Sequence, residues 1–245
     1  NNSLSITTQR YISYYSSDIK RAESIFKNSL VIHIVFALLL LILMFILTDV
    51  VICHWLVIDS SRIYAAKVTF IIVSVILGVG IMTSPFRAML ISHENIVYMS
   101  FIDVCDGVLK LGFAIALSCV PFDKLIAYGM IMLMMQIFNL IAFSVYSITK
   151  YPECSVKIQR SDIKLDDMKM LTNFIGWTTY SMGVIVGRNQ GIAIILNNFV
   201  GVVANAAYGI ANQLYMYVAF VATSVLNAMN PQIMKAEGDN DRKKM

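Results

Sequence analysis

Charge is what this sequence has least of. Asp, Glu, Lys and Arg make up 14% of its 245 residues, against roughly 25% in a soluble domain. With 58% hydrophobic residues and a mean hydropathy of +0.71, the shortfall excludes an ordinary water-soluble domain. Histidine is scarce too. His33, His54 and His93 lie far apart, which excludes metal-ligand spacing. Four cysteines, Cys53, Cys105, Cys119 and Cys154, form no CxxC pair and no disulfide framework, and Cys105 and Cys119 sit in apolar runs as small hydrophobes. No nucleophile–base pair stands out, so neither catalytic residues, nor a metal, nor a cofactor is expected. There is no signal-peptide pattern, no low-complexity tract and no 20–50-residue repeat. The chain opens at Asn1 in a polar, Tyr-rich segment and stops at Met245 among charges, so it reads as a piece of a longer protein.

What fills the sequence is hydrocarbon. A bilayer core about 30 Å thick takes roughly 20 apolar residues per helix. Six segments meet that length: Ser29–Thr48, Ile63–Ser84, Ile96–Val120, Leu125–Ile148, Met170–Asn198 and Val202–Met229. Pro85 and Pro121 are expected to end two of them. The predicted fold is therefore an all-α transmembrane, polytopic helical bundle.

Loop charges give the orientation. With the first loop placed in the cytoplasm, 14 Lys and Arg fall on that side, Arg87 among them, and Arg62, Lys67 and Lys124 fall on the other. Both ends of the chain are then cytoplasmic, Cys154 is cytoplasmic and Cys53 lies at or near the outer face. This distribution also accounts for the net charge of +4 without nucleic acid. The longest loop, Thr149 to Lys169, is the only credible domain boundary. It separates residues 1–148 from residues 170–245.

Three polar constellations interrupt the spans. Asp103, Asp106 and Lys110 lie within about 60° of one another on a helix, and Asp106 and Lys110 form an i, i+4 pair. They are either a self-compensated pair that steadies packing or part of a cavity wall, since intramembrane charges face a bundle interior or water. Gly183, Gly187 and Gly191 form a GxxxGxxxG strip that lets a neighbouring helix approach closely. Arg188 borders that strip with Asn189 and Gln190, and has no acid within four residues. Its partner is an acid on another helix, water or an anionic substrate. Asn205, Asn212, Thr223 and Asn230 project within about 20° of one direction, with Asn227 about 40° away. That stripe fits either interhelical hydrogen bonds or a hydrated cavity.

The segments RYISYYSSD, TSPFRAMLISHENIVYMSFIDVCDGVLKLG, FDKLIAYG, FIGW, NQGIAIILNNFVGVVANAAYGIANQ and NAMNPQIMKA occur in this order along the chain. Together they resemble the lipid-linked oligosaccharide flippases, the O-antigen and capsule transporters of the multidrug/oligosaccharidyl-lipid/polysaccharide exporter superfamily. NAAYGIANQ and NPQI carry most of the resemblance. It implies a two-lobed transporter of 12 to 14 helices, of which this chain covers about helices 3 to 8. Residues 1–148 would be the rest of the N-terminal lobe (the end of helix 2 and helices 3–6). Residues 149–169 would be the cytoplasmic inter-lobe loop, and residues 170–245 helices 7–8 with a cytoplasmic tail.

The implied function belongs to polysaccharide and lipopolysaccharide biosynthesis. Undecaprenyl-pyrophosphate-linked oligosaccharide is flipped across the bacterial cytoplasmic membrane by alternating access, without chemistry on the substrate. Implied partners are the lipid-linked substrate, membrane lipids, and the polysaccharide polymerase and glycosyltransferases. Arg188, Asn189, Gln190, Lys110, Asp106, Asp103, Asn205 and Asn212 would line the cavity, with Arg188 on the pyrophosphate, where a guanidinium can make bidentate contacts. An ion-coupled multidrug exporter of the same superfamily is the main alternative. Asp103 and Asp106 keep it open, whereas Arg188 and Lys110 oppose cationic cargo. A membrane-embedded polysaccharide polymerase or ligase is a weaker alternative, since the outer loops are short.

Overall fold

Acidic and amide side chains start three of the helices. Asp18 accepts a hydrogen bond from the backbone N–H of Arg21, Asn95 from that of Tyr98, and Asp123 from those of Leu125 and Ile126. Each meets a donor that the first turn leaves free. The elements they open belong to a computed structural model that describes residues 2–55, 59–117, 123–159 and 162–239. Among the described residues seven α-helices follow in order: α1 (Asn2–Tyr14), α2 (Ile19–Val50), α3 (Ile63–Ser92), α4 (Ile96–Ala116), α5 (Lys124–Lys150), α6 (Leu165–Ile195) and α7 (Val202–Gly238). There is no strand among the described residues. Gly201 makes the α6–α7 turn with φ at 110°, a conformation glycine adopts without steric cost.

Among the described residues, four helices are long and apolar enough to cross a membrane, with cores in Ile19–His54, Ser60–Ser92, Lys124–Lys150 and Ala207–Gly238. The protein is thus an all-α helical bundle built for a membrane. Helices α4 and α6 are outside that set. Asp103, Asp106 and Lys110 fall within the 21 residues of α4, and α6 carries Asp166, Asp167, Lys169 and Arg188.

Two expectations about helix ends change. Pro85 does not end α3, which continues seven residues further to Ser92. Proline removes one backbone donor, but a helix held on several sides tolerates the loss. Arg87 therefore belongs to a helix, not to a loop. Pro121 lies outside the described residues. Helix α2 begins at Ile19, ten residues before the apolar run, because Asp18 caps it there.

The core lies at one end of the bundle, where α1, α2, α3, α5, loop residues 151–159 and 162–164, and the start of α6 meet. Ile25, Phe26, Met89, Leu90, Phe143 and Leu171 are fully buried there, and the rings of Phe26 and Phe86 meet edge to face at 5.8 Å. Charged groups hold the same end. Asp167, almost fully buried, accepts from Arg21 Nη1 at 3.1 Å, Arg21 Nη2 at 2.5 Å and Ser24 Oγ at 3.1 Å. Lys27 pairs with Asp162 at 2.9 Å, while Asn28 donates to the Asp162 carbonyl and accepts from the Lys164 N–H. The loop after α5 is therefore fastened back onto α2. At the opposite end, Arg62 pairs with Asp123 at 2.5 Å and Lys67 with Asp49 at 2.6 Å. Large apolar side chains further along α2, such as Leu39, Phe45 and Ile46, stay exposed, as suits contact with lipid tails.

A candidate polar cavity within the bundle

Helices α3 and α4 form an antiparallel hairpin about the turn His93–Glu94–Asn95. Counting outward from that turn brings Arg87 opposite Asp103. Their contact is a two-pronged fork, Arg87 Nη1 to Asp103 Oδ1 and Nη2 to Oδ2, both at 2.8 Å. The same guanidinium lies 4.8 Å from the centroid of the buried Phe143 ring on α5, a favourable placement for a cation. One helix–helix turn thus yields a fixed, planar ion pair.

A second charged layer lies deeper. Lys110 Nζ is 2.6 Å from Asp106 Oδ2, and Asn139 Nδ2 on α5 donates to Asp106 Oδ1 at 2.8 Å. At 1.5 Å per residue, Arg87 is about 8 Å from the end of α3, and Asn139 about 17 Å from the end of α5. Polar groups therefore reach from the hairpin end to about half the depth of the bundle.

A cavity of about 330 Å³ lies beside these layers, lined by Ser5 of α1, by Gly80, Thr83, Ser84 and Arg87 of α3, and by Gln136 and Asn139 of α5. Hydroxyls, amides and one guanidinium make its wall. The Oδ1 of Asn139 is buried with no protein partner, although most buried polar atoms have one. Because Nδ2 is committed to Asp106, this oxygen can only accept. The site calls for a donor such as water or a hydroxyl group. By contrast, a groove between α2 and α3 of about 370 Å³ is lined by Leu41, Ile42, Phe45, Ile46 and Ile71, with little to bind a polar ligand.

The expected triad of Asp103, Asp106 and Lys110 is thus divided between two partners. Asp106 and Lys110 pair with each other, and Asp103 belongs to Arg87. Sequence reasoning missed Arg87, Asn139 and Gln136. A signal was present for the amides, since Gln136 and Asn139 stand one turn apart in the apolar run MMQIFNLIAF.

The remaining predicted residues lie on α6 and α7. Arg188 is exposed, and its Nε and Nη2 donate only to the adjacent Asn189 Oδ1, at 3.4 and 3.3 Å. Among the described residues no acid lies within ion-pair distance of it. A side chain added at Gly183, Gly187 or Gly191 would meet nothing within 4 Å, so no described part of this chain packs on that strip. Asn189 and Asn212 are half-buried, and Gln190 is exposed. The side chains of Asn205 and Asn227 lie outside the described residues. Among the described residues no group of three His, Cys, Asp or Glu is placed to hold a metal.

Outside the membrane-spanning segments, two neighbouring groups shift for different reasons. Cys154 is buried, which pushes its thiol up to about 12. Glu153 receives a hydrogen bond from His93 at 2.5 Å, which holds its carboxyl below the ordinary value. In comparisons with protein-family models, with curated proteins and with solved structures, nothing matches this chain.

Proposed function

We propose that the chain is part of a transporter that moves a lipid-linked oligosaccharide across the bacterial cytoplasmic membrane by alternating access. The observation that carries this reading is the polar cavity: hydroxyls, amides and a guanidinium, with matched charges beside them, inside helices whose other faces suit hydrocarbon. Arg87, the one charged group of the wall, is paired with Asp103, and the adjoining Lys110 with Asp106, so the wall and the layers beside it hold no net charge. It fits a hydroxyl-rich sugar better than a cationic drug. Arg188, with no acid partner among the described residues, is the cation left for a pyrophosphate. In this reading α4 and α6 also span the membrane, giving six spans from two lobes, and both chain ends face the cytoplasm. The motif segments read in the sequence support the same family.

Orientation is open to direct measurement. Cys53 is exposed, whereas Cys154 is buried and holds its proton, so Cys154 is a poor labelling target despite its place in a loop. Lys157 is exposed on the same loop. An impermeant thiol reagent is expected to modify Cys53 in intact cells, and Lys157→Cys only after the cells are permeabilised. The reverse pattern would invert the topology.

The functional reading is tested by complementing surface polysaccharide in cells that lack the native flippase. In the full-length protein, Arg188→Lys keeps the charge but loses the fork, and is expected to retain part of the activity. Arg188→Gln is expected to lose about tenfold or more, the effect of roughly 1.4 kcal/mol in binding. Both should accumulate normally, since neither adds charge to the span. Full activity of Arg188→Gln at normal abundance would remove the pyrophosphate role.

A further inference from the structure

We propose that the turn between α3 and α4 is a latch: it clasps the end of α7, and that clasp must release for this end of the protein to open. What the opening serves rests on the transport reading above; the clasp itself does not.

The outer two residues of the turn hold one side of it and the middle residue holds the other. His93 stacks on the ring of Tyr151 at 4.0 Å and meets Glu153 at 2.5 Å. Asn95 donates to the hydroxyls of Tyr146 at 2.8 Å and Tyr151 at 3.0 Å while capping α4. These contacts fix the turn to α5 and the loop that follows it. Glu94 between them is the one non-glycine residue at positive φ, 57°, among the described residues, a conformation that costs a side chain with a Cβ. Its carboxylate reaches α7, where Lys235 Nζ meets Oε1 at 2.9 Å and Gln232 Nε2 donates to Oε2 at 3.1 Å. Those two contacts hold the Glu94 carboxyl below its ordinary value.

A second anchor lies one turn further along α7. The Ser17 hydroxyl donates to Asp239, and Gly238 stands where any side chain would run into the carbonyl of Tyr14. The residues of α7 just before the clasp, such as Val221, Val225 and Leu226, are exposed. Pro231 lies inside the continuous helix where the docked stretch begins, and a proline is a natural place for a helix to bend. The clasp is therefore built of groups near water at the tip of a long lever. An exposed ion pair of this kind biases an equilibrium by about fivefold at most. That is enough to favour the closed arrangement and too little to prevent release.

The test uses the full-length protein in membranes, with its native cysteines replaced by alanine and with Ser17→Cys and Asp239→Cys added. Mild oxidation is expected to join the two positions, halt transport of lipid-linked sugar, and allow recovery after reduction. Adding Glu94→Lys should slow disulfide formation by about threefold to tenfold, and adding Lys235→Glu as well should restore it. Absence of the disulfide would overturn the docking. A disulfide that forms while transport continues would overturn the release, and an unchanged rate in Glu94→Lys would overturn the role of the turn. If the reduced protein moves no sugar lipid but the charge swap still governs the disulfide rate, the transport reading fails and the latch stands.

Discussion

Arg87→Met is expected to destabilise the full-length protein by about 1–3 kcal/mol, below the ~3–5 kcal/mol for breaking a fully buried ion pair because Asp103 is half-exposed. The substitution removes both prongs of the fork and the contact with Phe143, and leaves Asp103 without its partner. Arg87→Lys should be milder but still impaired, because an ammonium cannot reproduce the planar fork. The exchange Arg87→Asp with Asp103→Arg should recover part of the loss, though the contact with Phe143 is not rebuilt. Thermal unfolding of the purified protein in detergent, read beside complementation at matched abundance, separates stability from transport. Failure of the exchange to recover anything would mean that Arg87 acts alone.

Lys110→Met is expected to cost about 2–4 kcal/mol, because Asp106 is mostly buried and would keep only the donor from Asn139. Asp106→Asn leaves the lysine charge uncompensated and should be comparably damaging. The double variant removes both charges together, so its loss should fall short of the sum by about 1–3 kcal/mol. Strict additivity in the same unfolding assay would show that the two groups do not act as a pair. Asn139→Leu provides an independent check. It takes one donor from Asp106 and removes the free acceptor from the cavity, so transport should fall more than stability does.

The helices α2, α3, α5 and α7 are legible because long apolar runs need no partner to declare themselves. The Asp106–Lys110 pair is legible because i, i+4 spacing is local to one helix. Arg87 and Asp103 are 16 residues apart, and they meet only because a hairpin folds one helix on the other. Pro85 hid that hairpin by suggesting a helix end, although neighbouring helices let α3 pass through it. Cys154 shows the same limit in a loop. Its surroundings in sequence are polar, yet Tyr151, Cys154 and the salt-bridged Asp162 segment pack back on α2, α3 and α5. Tertiary contacts set these outcomes, and spacing along one chain does not encode them directly. On α6 and α7, the glycine strip and Arg188 have polarity and spacing but no packed neighbour among the described residues, so their partners lie beyond what local pattern defines.

Translocation in proteoliposomes tests the central claim most directly. The full-length protein would be reconstituted with an undecaprenyl-pyrophosphate-linked oligosaccharide, and the sugar reaching the opposite leaflet read with an impermeant glycosidase. A lipophilic cationic dye would be followed in parallel. The account predicts protein-dependent movement of the sugar lipid, reduced by about tenfold or more in Arg188→Gln, and no movement of the dye. Export of the dye without movement of the sugar lipid would contradict it.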